Sequence, residues 1–230
     1  MKTLDKDKPM LFLGDHHGDW SYLLDILEDK RVYDCHLISV GDSGIGFTDK
    51  IRQEQMINYL NQEFKSRGIN FMSIRGNHDD PAYFEKEGTD LSNFKLIEDY
   101  TVMKYNGKKI QFIGGAISID RTARREGISY WSGEGLHFDK DKCKEVDILV
   151  THTTPSWCFP QQFNEMVYGW AREDADLLEE LTDERAVMDE IFKICKPTLH
   201  LYGHFHSSWT EAISGCKHKL LNINEIWELN

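Results

Sequence analysis

Cysteine is scarce and unpaired in this chain of 230 residues. The five cysteines, Cys35, Cys143, Cys158, Cys195 and Cys216, form no CxxC pair. An odd count behind a charged N-terminus argues against a disulfide framework and reads as free thiols in a reducing compartment. Basic charge is also in short supply, with 27 Lys and Arg against 39 Asp and Glu, for a net charge of -12. Such a surface repels nucleic-acid backbone and anionic membrane, which counts against long nucleic acid as a partner. The segment Met1 to Pro9 lacks the apolar core of a signal peptide, and no apolar run approaches the length that spans a bilayer. A cytoplasmic protein with no membrane partner is the expectation. Repeats, low-complexity tracts and linkers are missing too, so one domain over residues 1–230 is expected.

What is present is a core. Hydrophobic residues make up 40% of the chain, enough to argue against wholesale disorder. Met10-Leu11-Phe12-Leu13, His36 to Val40 and Ile69 to Ile74 read as buried strands. Between them, Trp20, Leu23, Leu24 and Leu27, then Met56, Tyr59, Leu60 and Phe64, fall at helical spacing, and Gly68 is a good stop. This βαβαβ order predicts a parallel sheet with helices on its faces. Further on, Phe94 to Lys104 and Lys109 to Ile113 read as two strands joined by an Asn106-Gly107 hairpin turn. Ile148 to Val150 and Thr198 to Tyr202 are further strands. Trp209 to Ile213 and Leu220 to Ile223 read as closing antiparallel strands. Thr153 to Trp170 is expected to be an irregular loop, and Glu173 to Cys195 a helix broken near Thr182. The fold class is therefore α/β, a sheet sandwich flanked by helices, with a more antiparallel second half.

Five short polar segments each follow an apolar, strand-like run. They are Asp15-His16-His17, Gly41-Asp42, Gly76-Asn77-His78-Asp79, Thr151-His152 and Gly203-His204-Phe205-His206. In an open α/β sheet, loops at the carboxyl ends of strands converge on one crevice. Asp15 and His17 are two apart, as are His204 and His206, so in extended chain each pair faces one way. Asp42 can bridge two ions, Asn77 offers a carbonyl oxygen and His152 an imidazole. This nitrogen and oxygen set suits manganese, iron, zinc, cobalt or nickel and argues against calcium. A lone His beside a strand is more often structural than a ligand, and His16, His36, His137, His200 and His218 are given that reading.

The pattern D-x-H, G-D, G-N-H-D, a lone His and G-H-x-H resembles the calcineurin-like metallophosphoesterases, in the family's order from Asp15 to His206. The resemblance implies two divalent transition-metal ions, manganese first among them, in a metallophosphoesterase-type β-sandwich. Asp15, His17, Asp42 and His206 would hold the first ion. Asp42, Asn77, His152 and His204 would hold the second, with Asp42 shared. It further implies attack on a phosphorylated substrate by a metal-bridging hydroxide, with His78 outside the metal shell as general acid. In the Ser/Thr phosphatase branch the second block reads G-D-x-x-D-R-G, and its later Asp supports that His. Here the block is Gly41-Asp42-Ser43-Gly44-Ile45-Gly46-Phe47, without the Asp-Arg pair. Asp79 is then the neighbouring candidate for a supporting carboxylate.

An arginine is wanted for phosphate. Arg121, which follows the block Gly114-Gly115-Ala116, is the first candidate. Arg124 and Arg125 come next, and Arg75 last. Trp157, Phe159, Phe163, Tyr168 and Trp170 are expected to pack their loop onto the domain, the alternative being a base-stacking wall. The leading functional expectation is hydrolysis of phosphate monoesters in a phosphoprotein, nucleotide or small metabolite. A phosphodiesterase or nuclease of the same family, and a non-catalytic metal-binding scaffold, are the competing readings.

Overall fold

A computed structural model describes residues 1–85 and 91–229. Two sheets face each other. The five-stranded sheet holds β2 (Met10–Leu13), β3 (His36–Ser39), β4 (Asn70–Ser73), β5 (Phe94–Leu96) and β12 (Ile226–Glu228), in the order β12-β2-β3-β4-β5. The seven-stranded sheet holds β1 (Lys2–Thr3), β6 (Val102–Tyr105), β7 (Lys108–Ile113), β8 (Ile148–Thr151), β9 (Leu199–Tyr202), β10 (Trp209–Ile213) and β11 (Cys216–Leu220). Its order is β1-β6-β7-β8-β9-β11-β10. In it β7, β8, β9 and β11 pair in parallel, while the β6/β7 and β10/β11 pairs are antiparallel.

The period of two in a strand sorts the side chains into layers. Phe12, Ile38 and Met72 point between the sheets and meet Phe112, Val150 and Leu201. Their neighbours Leu13, Leu37 and Phe71 point outward, onto α1 (Trp20–Asp29) and α2 (Lys50–Ser66), through Leu23, Leu27, Ile57, Leu60 and Phe64. On the far side Ile113 and Leu149 meet Met188, Ile191 and Cys195 of α4 (Leu177–Cys195). Strands buried on both faces are continuous apolar runs, which is why they stood out in the sequence. The helix starts are equally local. Asp19 accepts from Tyr22 N at 3.2 Å and Asp49 from Arg52 N at 3.0 Å, each as an N-cap.

Several expectations change. The run Phe94 to Lys104 is two strands in different sheets. The chain turns at Glu98 to Thr101, where Thr101 N donates to Glu98 O at 3.2 Å and Tyr100 has a φ of 66°. Asp99 in that turn pairs with Arg75 and accepts from Gly114 N, locking the crossover. The last hairpin closes through Ser214-Gly215, both at positive φ, so its second strand is Cys216–Leu220 and not Leu220 to Ile223. The helix α3 (Glu165–Trp170) stands inside the segment expected to be a loop. The long helix begins at Leu177 and runs through Thr182, whose hydroxyl donates to the Leu178 carbonyl, its own turn. The short edge strands β1 and β12 carried no periodic signal. Among the described residues, no helix is long and apolar enough to cross a membrane.

Candidate metal centre

All five polar segments leave the carboxyl ends of parallel strands. Those after β2, β3 and β4 come from one sheet, and those after β8 and β9 from the other, so the crevice lies across the open edge of the sandwich. All seven expected ligands meet there. Asp15, His17, Asp42 and His206 have ligand atoms within 4.8 Å of one another. His17 Nε2 lies 2.9 Å from His206 Nε2, and His206 Nε2 lies 3.4 Å from Asp15 Oδ2. Beside this group, His152 Nε2 lies 3.2 Å from Asp42 Oδ1 and 3.1 Å from Asn77 Oδ1, and His204 Nδ1 lies 2.9 Å from the same Asn77 oxygen. Asp42 belongs to both groups.

The surrounding hydrogen bonds aim the lone pairs inward. His152 Nδ1 donates to Val40 O at 2.8 Å, which leaves the Nε2 lone pair facing the centre. Asn77 Nδ2 donates to Ser118 Oγ at 3.0 Å, which turns its Oδ1 toward the two imidazoles. Asp15 Oδ2 accepts from His204 N at 2.9 Å, while Asp15 Oδ1 is buried with no partner. An orphaned buried carboxylate oxygen is costly unless something positive completes it. Together with the converging lone pairs, it fits a pair of cations.

Charge balance points the same way. Asp15 and Asp42 are both buried. Burial holds His17 and His204 below the usual imidazole range, so they lend no charge. At His152 burial also opposes charge, but Asp42 and Asp15 outweigh it and hold the pKa up at about 10. The cation-free chain thus keeps a proton where lone pairs are aimed, and binding a cation there would release it.

Backbone strain gathers on these residues. His17, Asp42, His204 and His206 have φ of 48°, 52°, 68° and 47°, in the left-handed region that non-glycine residues rarely occupy. Gly76 is required by proximity: a Cβ there would stand 2.0 Å from Asp42 Oδ1 and 2.5 Å from Asp42 N. The Gly of the G-N-H-D block is therefore explained by the carboxylate packed against it.

His78 lies at the rim, its ring edge-on to His17 with centroids 4.7 Å apart. Burial lowers its pKa to about 4; Asp42 opposes this and Arg124 adds to it. Asp79 does not support it. That carboxylate is fully buried and accepts from Ser43 N, Ile45 N and Gly76 N at 3.2, 2.9 and 2.8 Å, tying the second block to the third. Burial, with Asp42 nearby, raises its pKa to about 7 against those three donors.

The structure also changes the arginine. Arg121 is turned away, held by Asp174 and Glu180. Arg124 comes to the centre instead: its Nη2 is 2.6 Å from His78 Nε2, and its Nε is 2.7 Å from Asp120 Oδ1. Only an acidic residue four positions earlier in the chain hinted at this pairing. Arg125 is exposed, and Arg75 donates to the Glu134 and Gly135 carbonyls. A cavity of about 610 Å³ opens beside the centre. His17, Asp42, Asn77, His78 and Arg124 line it, together with Phe159, Phe163, Val167 and Trp170. The aromatics thus divide: Trp157 packs edge-on against Phe192 and His218, while three others wall the cavity.

Residues 8–208 match the family model described as calcineurin-like phosphoesterase. No curated protein matches the chain in sequence. Among solved structures, a predicted phosphoesterase from Streptococcus pneumoniae TIGR4 shares 14% identity at a TM-score of 0.36, covering 94% of this chain and 72% of that one. The phosphopantetheinyl hydrolase of Mycobacterium tuberculosis shares 12% identity at a TM-score of 0.45, covering 96% of this chain and 91% of that one.

Proposed function

The chain belongs to the calcineurin-like phosphoesterase family, and from that premise we propose that it hydrolyses monoesters of small organic phosphates. The observation that carries the reading is one juxtaposition. Five of the seven inward-aimed ligands, His17, Asp42, Asn77, His204 and His206, border a single cavity together with His78, the forked cation Arg124 and an apolar group of Phe159, Phe163, Val167 and Trp170.

Asp15, His17, Asp42 and His206 would hold one cation, and Asp42, Asn77, His152 and His204 the other. When bound, two divalent cations polarise the phosphorus and supply a nucleophilic oxygen at neutral pH. The chain's own residues do the rest. Arg124, braced by Asp120 at its Nε, offers its remaining N–H groups to a phosphoryl oxygen. His78, which borders the same cavity, is assigned the proton donation to the leaving oxygen; its pKa is held at about 4, so the bound phosphate's negative charge must favour its charged form. Phe159, Phe163, Val167 and Trp170 receive an apolar or planar leaving group and exclude water from it. The residues that hold the cations and those that choose the substrate are therefore separate.

One observation favours a diester as the second reading. A smaller cavity of about 240 Å³, lined by Phe47, Thr48 and Met56, also touches His17 and His78. A diester has two substituents, and two cavities border the same histidines. The deciding experiment strips the metal, restores manganese, and compares p-nitrophenyl phosphate with bis-p-nitrophenyl phosphate. Higher kcat/KM on the monoester supports the first reading and higher kcat/KM on the diester the second. Inactivity on both with every transition metal would leave a metal-binding scaffold.

A further inference from the structure

A second cluster of metal-ligating side chains lies in the core, apart from the phosphoesterase centre. Parallel pairing sets His218 of β11 directly opposite His200 of β9, so both imidazoles project from the same face. Cys158, on the loop that follows β8 and His152, folds over that face. All three residues are fully buried. His218 Nδ1 lies 3.2 Å from His200 Nδ1 and 3.2 Å from Cys158 Sγ, and the three ligand atoms fall within 4.8 Å of one another.

The proton count is informative. Thr151 Oγ1 gives its one hydrogen to Thr153 O, so at 2.8 Å it can only accept from His200 Nε2. That fixes the His200 tautomer and leaves an Nδ1 lone pair facing His218 and Cys158. His218 Nε2 is buried without a partner, so its polar contacts are made through Nδ1. A hydrogen on that Nδ1 can satisfy His200 or the sulfur, not both. If it goes to His200, His218 has no lone pair left for the thiol hydrogen, which then turns to the Thr154 hydroxyl, and the contact between Cys158 and His218 at 3.2 Å is left without a hydrogen. A cation in the middle takes all three lone pairs at once. With Zn–N of about 2.0–2.1 Å and Zn–S of about 2.3 Å, tetrahedral ligand atoms stand roughly 3.3–3.6 Å apart; the two contacts of His218 at 3.2 Å lie close to that spacing, and the His200–Cys158 pair falls within 4.8 Å.

We propose that Cys158, His200 and His218 form a separate metal site for a thiophilic divalent cation, zinc, that staples the loop after His152 to the seven-stranded sheet. On binding, the Cys158 S–H bond breaks, sulfur keeps the electron pair as ligand, and the proton leaves to solvent. Burial disfavours charge on both imidazoles and also raises the Cys158 thiol to about 12, so the thiolate forms only with the cation that replaces its proton. The Thr154 hydroxyl is buried within hydrogen-bonding reach of the Cys158 thiol, beside the three ligand atoms. The stapled loop carries Phe159 and Pro160 into the wall of the large cavity, so the site shapes the cavity without touching a substrate.

The test uses cobalt as a spectroscopic substitute for zinc. The full chain is expressed in cobalt-supplemented medium, so that the cation is present as the core closes. Near-ultraviolet absorption and cobalt content per chain are then measured. The phosphoesterase centre contains no sulfur, so a thiolate-to-cobalt charge-transfer band reports on Cys158 whatever the catalytic reading. The expected result is that band in the wild type. Cys158→Ser and His218→Gln should each lose it together with one cobalt per chain. Cys143→Ser should keep it, and so should Asp42→Ala, which empties the other centre. If Cys158→Ser does not fold, the wild-type spectrum and His218→Gln still decide. No thiolate band in the wild type, or a band that survives in Cys158→Ser, overturns the site and leaves a hydrogen-bonded core cluster.

Discussion

Replacing Arg124 by alanine separates the arginine placed by the structure from the one suggested by the sequence. The Arg124 side chain is only 12% exposed, is braced by Asp120, and has Nη2 at 2.6 Å from His78. A forked, charge-assisted contact to a phosphoryl oxygen contributes about 1.5–3 kcal/mol. At tenfold for roughly each 1.4 kcal/mol, Arg124→Ala should lower kcat/KM about 10- to 150-fold. Arg124→Lys keeps the charge but not the fork, and should fall between. Arg121→Ala breaks an ion-pair group with Asp174 and Glu180, none of which lines the large cavity. It should lower the melting temperature and leave kcat/KM within about twofold, the size of an ordinary surface change. The assay is steady-state hydrolysis of p-nitrophenyl phosphate by manganese-loaded protein, with melting curves for each variant. Equal damage from Arg121→Ala and Arg124→Ala, or near-normal activity in Arg124→Ala, would refute the placement.

Three further outcomes follow from the same geometry. His78→Ala should slow hydrolysis of alkyl phosphates by about 10²–10⁴ while sparing p-nitrophenyl phosphate, whose leaving group needs no proton; equal losses on both would remove the general-acid role. Gly76→Ala puts a Cβ 2.0 Å from Asp42 Oδ1, so isothermal titration with manganese should show weakened binding, and unchanged affinity would count against Asp42 as a ligand. Glu184 is buried and its pKa is raised by burial to about 7 from 4.5. Its contribution to stability is therefore full below about pH 4.5 and lost as pH rises through 7, a difference of roughly 3 kcal/mol. The melting temperature of Glu184→Gln relative to wild type should rise between pH 5 and pH 8, and a pH-independent difference would refute the assignment.

The parts of the fold visible in the sequence were those buried on both faces. Met10 to Leu13, Leu37 to Ile38 and Ile148 to Val150 are apolar runs because sheet packs on sheet and helix on sheet. The parts missed lie at edges. β1 and β12 have few buried residues to leave a pattern, with burial confined to the partly covered Ile226 and Trp227 of β12. The break in Phe94 to Lys104 was hidden because Tyr100 is not a residue that announces a left-handed turn. It is held there by tertiary bonds, its hydroxyl to the His137 carbonyl and its amide to Phe112 O. Local propensity yields to such contacts, and no window of sequence contains both partners.

The candidate site divides in the same way. Its ligands were legible because each occupies the first few positions after a strand, where direction is set by the sheet. Arg124 was not, because its approach depends on a 3₁₀ turn at Arg121–Ala123 and on Asp120 gripping its Nε. Asp79 misled for a related reason: adjacency to His78 suggested a partner, but successive residues turn opposite ways and Asp79 faces the backbone of Ser43 and Ile45. The strain follows from these constraints. Ligands from five loops must meet within a few ångströms, and four of them do so only with a left-handed backbone, at a cost of order 1–3 kcal/mol each. Asp15 Oδ1 accepts no hydrogen bond, and the positive charge near it comes from His152 and His206, imidazoles whose lone pairs a cation would take. The buried charge and the strained backbone therefore point to the same missing partner, the bound cations. Their removal should loosen these five loops before it loosens the strands that carry them.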